Sequence, residues 1–138
     1  MRRMSVFIST AVLVAFAIGL SAQAQEKSSG VLLTAEELKA LVEPSLLISG
    51  RNEVTNFWFG TLLLRDGILY DVLTDTAGNG GPITGKWRLD GDKFCRTSFP
   101  QFPQEVCRNW YRVADGSYES RLVAGGKLVA TFRIVNRP

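Results

Sequence analysis

Carboxylates, two thiols and a set of aromatic rings are what this chain of 138 residues can bring to a reaction or a ligand, because it contains no histidine. Without imidazole, Ser-His-Asp and Cys-His catalysis, histidine-ligated zinc and the usual neutral-pH proton shuttle all lack their central group. Ser98 and Ser117 have no substitute base, since no Ser-x-x-Lys pattern occurs. Asp71, Asp75 and Glu105 are the carboxylates from which a glycosidase-type acid–base pair would be drawn. Thirteen acidic residues make some close approach inevitable, and no local motif singles out two of them. Asp90-Gly91-Asp92 has too few oxygen donors for calcium and reads as a tight turn. Gly78-Asn79-Gly80-Gly81 lacks the Lys-Ser/Thr of a phosphate-binding loop and reads as a flexible connection. The residues therefore assign no catalytic group, no metal ligand and no cofactor.

Cys95 and Cys107 are separated by eleven residues and have only each other as intramolecular partners. In an oxidising compartment they are expected to form a disulfide, worth ~3 kcal/mol in the chain-entropy model. Counting inward from a loop over Phe99 to Pro103 pairs Lys93 with Asn109, Cys95 with Cys107 and Thr97 with Glu105 on adjacent antiparallel strands. The aromatic residues offer the other chemistry. In Phe57-Trp58-Phe59 and in Trp110-Tyr111, alternation sends neighbouring rings to opposite faces of a strand. Trp58, Trp87, Trp110 and Tyr111 are the candidates for contact with an apolar ligand or a partner. The competing reading makes them core filling for a small barrel.

These residues must be positioned by a chain whose beginning reads as a secretory signal. Arg2 and Arg3 precede a 15-residue, mostly apolar run from Val6 to Leu20, and Ala22-Gln23-Ala24 places cleavage between Ala24 and Gln25. The run is shorter than the roughly 20 residues a membrane span needs, so no integral anchor is expected after cleavage. Two of the 16 basic residues leave with this leader, which lowers the formal charge from +3 to +1. No Lys/Arg stripe remains to follow a phosphate backbone, and nucleic-acid binding is not expected. Residues 25–32 read as a flexible segment, and 33–138 as a single β-rich domain.

One helix is expected, from Leu33 to Val42. Thr34 and Glu37 form a capping box, Leu33 and Leu38 a hydrophobic staple, and Pro44 stops the helix. Eight strands follow: Ser45–Ser49, Thr55–Arg65, Ile68–Leu73, Ile83–Asp90, Lys93–Ser98, Glu105–Val113, Ser117–Val123 and Lys127–Asn136. Asp66-Gly67, Asp90-Gly91, Asp115-Gly116 and Gly125-Gly126 supply tight turns. Seven or eight sequential antiparallel strands make either an up-and-down barrel, which leaves no edges, or a strongly curved sheet, with the helix closing one end or lying outside.

Taken in order, Leu33-Thr34-x-x-Glu37-Leu38, Asp66-Gly67, Gly85-x-Trp87, Asp90-Gly91-Asp92-x-x-Cys95, Cys107 and Asp115-Gly116-x-Tyr118 resemble a plan found in small exported proteins of proteobacteria. That family has a domain of no assigned biochemical function. The resemblance implies a periplasmic or secreted protein of a Gram-negative bacterium and supplies no catalytic residues. The expectation is a non-enzymatic exported domain that binds a small apolar ligand, a cell-envelope component or another protein. Two alternatives stand beside it. One is an inhibitor of a secreted protease, which would use the extended segment near Gln25 to Gly30. The other is a carboxylate-based hydrolase.

Overall fold

The computed structural model describes residues 28–74, 80–99 and 102–136. The leader, the cleavage point at Ala24 and Gln25, and Asp75, Gly78 and Asn79 lie outside them. A two-residue strand β1 (Val31–Leu32) is followed by helix α1 (Ala35–Val42). Then come β2 (Ser45–Asn52), β3 (Trp58–Leu64), β4 (Ile68–Thr74), β5 (Gly80–Asp90), β6 (Lys93–Phe99), β7 (Phe102–Arg112), β8 (Tyr118–Leu122) and β9 (Leu128–Asn136). Strands β2 to β9 pair antiparallel with their sequence neighbours, and β9 returns to β2, so eight strands form a closed up-and-down barrel. No helix among the described residues is long and apolar enough to cross a membrane.

Local chemistry sets the elements. The Thr34 hydroxyl accepts from the Glu37 N–H while the Glu37 carboxylate accepts from the Thr34 N–H, which completes the capping box. Leu33 and Leu38, the staple pair, are almost completely buried. Gly67, Gly91, Gly116, Gly125 and Gly126 all take positive φ, as the four tight turns require. The helix plugs one end of the barrel, packing on β2 and β5. Leu38, Leu41 and Val42 meet Leu46, Leu63 and Leu69 from the barrel wall to form the core. Glu37 also reaches Arg112 on β7, at 3.3 Å.

Four expectations are corrected. Strand β3 begins at Trp58 rather than Thr55, because the Asn52 side chain accepts from the Val54 and Thr55 N–H groups and Asn56 turns at φ 64°. Gly80 and Gly81 belong to strand β5 rather than to a flexible loop. A Cβ at Gly80 would fall 1.5 Å from the Leu73 carbonyl oxygen, so only glycine lets β5 lie this close to β4. Cys95 pairs with Cys107 and Lys93 with Asn109 as expected, but the register shifts between Arg96 and Ser98. Ser98 therefore meets Phe102, and the Thr97–Glu105 pair does not form; Pro103, which has no N–H to donate, lies in the irregular stretch. Finally, the described end of the segment read as flexible is tied to the barrel. Val31 and Leu32 pair with Arg112 and Tyr111, and the Ser28 hydroxyl donates to Glu119.

Candidate functional site

Alternation along the strands sends one set of side chains into the barrel, and the residues at those inward positions differ between its two halves. A row of rings crosses the middle: Trp87 and Phe94 stack at 6.1 Å, Phe94 and Trp110 at 4.4 Å, Trp110 meets Phe132 edge-on at 4.8 Å, and Phe132 stacks on Tyr118 at 5.4 Å. On the helix side of this row, leucines and the helix fill the space. On the other side, inward positions carry small or polar residues such as Thr61, Ser98, Ser120 and Ala130. A cavity of about 290 Å³ is left there. Phe94, Trp110 and Phe132 form its floor, and Phe59, Leu73 and Ile83 its apolar walls. It reaches the end of the barrel beside the Asn52–Phe57 turn, where Phe57 is part of the lining and 39% exposed.

The cavity wall also carries charge. Asp71, 2% exposed, accepts from the Thr61 hydroxyl through one oxygen and from Arg96 through the other. Arg96 also donates to the Ser98 hydroxyl, its Nε lying 3.1 Å from Oγ. Strands β4 and β6 thus set a buried carboxylate against a guanidinium, with both Asp71 oxygens engaged. On β7, Arg108 faces the same space between Val106 and Trp110. Its Nη1 donates to the Cys107 carbonyl oxygen at 3.0 Å, and among the described residues no carboxylate forms an ion pair with it. Burial, and secondarily the neighbouring Arg96 charge, push the Arg108 pKa below its ordinary value. A guanidinium remains protonated at neutral pH despite this.

The structure separates the residues singled out from the sequence. Trp110 lies on the cavity floor. Trp87 belongs to the plugged half, where its indole N–H donates to the Leu64 carbonyl at 2.9 Å. Trp58 stands on the outer wall, 54% exposed, and Tyr111 faces outward where β1 joins β7. These four do not form one patch. Asp71 and Glu105 lie on opposite sides of the barrel wall, since Glu105 pairs outside with Arg88 at 2.6 Å. Arg88 holds the Glu105 carboxyl below the usual carboxylate range. Cys95 and Cys107 form the expected disulfide on the outer face, with Cα atoms 4.0 Å apart. The Glu105 carboxylate approaches their sulfurs, but two sulfurs bonded to each other are not thiolate ligands.

Arg96 and Arg108 were not singled out from the sequence. Their signal is a charge at apolar parity: Phe94-x-Arg96-x-Ser98 and Val106-x-Arg108-x-Trp110 each put a guanidinium on the face that carries core rings. No model of a known protein family matches the chain, and neither a curated protein nor a solved structure was found to be similar to it.

Proposed function

We propose that the protein is an exported, non-enzymatic binding domain of the bacterial periplasm or cell envelope, and that it holds a small, largely apolar ligand in the unfilled half of its barrel. The cavity of about 290 Å³ beside the aromatic floor carries this reading. Cores are ordinarily packed to the density of organic crystals, so a space of this size bordered by phenylalanines and a tryptophan is a binding site before it is a packing defect. At about 30 Å³ per water-sized group, it has room for about ten non-hydrogen atoms. The signal-like leader, and the resemblance of the ordered motifs to those of small exported proteobacterial proteins, support export.

A series of n-alkan-1-ols tests the reading. Each added methylene should tighten binding by about 0.8 kcal/mol until the chain outgrows the cavity, and the gain should then stop near eight to ten carbons. Melting temperature and calorimetry both report it, because a ligand of the native state raises Tm by mass action. An affinity that climbs through dodecanol without a break, or no binding by any alcohol or by the alkanoates of the same lengths, would remove the cavity as the site. Export is checked separately by mass spectrometry of periplasmic protein, which should begin at Gln25.

A further inference from the structure

We propose that the ligand is an amphiphilic monoanion whose carboxylate head is recognised by Arg108, with its apolar tail on the aromatic floor; this rests on the cavity-binding reading above. The charges that share this space do not balance. Two guanidiniums, Arg96 and Arg108, face the cavity with one buried carboxylate, Asp71. Asp71 is already committed, through one oxygen to Thr61 and through the other to Arg96. Among the described residues Arg108 has a single acceptor, the Cys107 carbonyl oxygen, although its guanidinium carries five N–H donors and its side chain lines the cavity.

A neutral apolar ligand entering this space would strip water from Arg108 and return nothing to the charge, which is a costly exchange in a low-dielectric wall. A carboxylate reverses the balance. It accepts two parallel N–H bonds from the guanidinium fork and neutralises the uncompensated charge. Asp71 already neutralises Arg96, so the net positive charge that an anion meets on this wall is that of Arg108. Phe94 is opposite Arg108 across the β6–β7 ladder, and Trp110 lies two residues along β7 on the same face. Head and tail sites are therefore neighbours, and a chain of about eight carbons spans them within the available volume.

The test compares octanoate with octan-1-ol on the full mature chain at neutral pH, by calorimetry. Octanoate should bind at least about tenfold more tightly. Arg108→Gln should abolish that preference, so that octanoate and octan-1-ol bind the variant about equally, whereas Arg108→Lys should retain part of it. If Arg108→Gln does not fold, Arg108→Lys decides, since a point charge without the planar fork should reduce the preference for octanoate over octan-1-ol severalfold. Equal binding of acid and alcohol by the wild type would overturn the assignment of the head group while leaving the cavity reading intact. An acid preference that survives Arg108→Gln would overturn it as well, by placing the anion elsewhere. Binding of neither ligand would overturn both readings.

Discussion

One end of this barrel is plugged and the other is hollow, although the same eight strands build both. At the plugged end the inward positions are Leu46, Leu63 and Leu69, and α1 adds Leu38, Leu41 and Val42, so the apolar surface is saturated. At the hollow end the corresponding positions include Thr61, Ser98, Ser120 and Ala130, together with two arginines, and among the described residues no helix fills the remainder. Closing a sheet removes its edges but does not by itself fill its interior. The side chains at inward positions decide whether a given stretch of barrel is core or container.

That contrast is broken most severely at the helix. Leu38→Ala, at a fully buried site, should cost about 4 kcal/mol, within the range for large-to-small core changes. Leu73→Ala, on the cavity wall, should cost about 1 kcal/mol or less, because its side chain already borders open space. Urea denaturation of the two variants measures the difference, and equal losses would mean that the hollow end is packed as tightly as the plugged one.

The next effect in size concerns the outer wall. Replacing Cys95 and Cys107 together by alanine should lower stability by about 3 kcal/mol and leave octan-1-ol affinity unchanged at temperatures where the variant is folded. If Tm were retained and binding lost, the bridge would belong to the site instead of to the wall.

A smaller loss, about 1 kcal/mol, is expected for Thr34→Ala, which removes the N-cap of the plugging helix. Hydrogen exchange should show faster opening of α1 with little change in β3 and β4.

The smallest effect is the acid response of the outer face. The Arg88 guanidinium holds the Glu105 carboxyl low, and the Ser117 hydroxyl and N–H hold that of Asp115 low. For groups whose folded pKa is depressed, the stabilisation is complete above the usual carboxylate range of ~4 and is lost as pH falls toward the folded value. Glu105→Gln should accordingly flatten part of the decline in stability on acidification while leaving octan-1-ol affinity at neutral pH unchanged.

Much of the framework was legible in the sequence, for reasons that act locally. The Thr34–Glu37 capping box, the Asp-Gly turns and the period-two alternation of Leu128 to Val135 each express a short-range preference that the tertiary structure keeps. Pairing of Cys95 with Cys107 follows from their being the two cysteines of the chain, and the strand count sets them opposite each other even though its Thr97–Glu105 step fails at the register shift. The start of β3 departs from the sequence expectation because Asn52 holds a turn through its side chain, against the strand propensity of Thr55 to Phe57. The cavity was harder still. That Asp71, Arg96 and Arg108 share one space depends on closure of the barrel, a long-range event, and tryptophans drew attention to residues that closure then dispersed. A charged residue at apolar parity was the more informative sign.

Solution NMR of the folded protein titrated with octan-1-ol tests the division of the barrel most directly. Chemical-shift changes should concentrate at Phe57, Phe59, Leu73, Ile83 and Trp110, which line the cavity, with Leu38, Leu41 and Val42 in the plugging helix undisturbed. Changes centred on the exterior residues Trp58, Tyr70 and Val72, or spread equally through both halves, would contradict it.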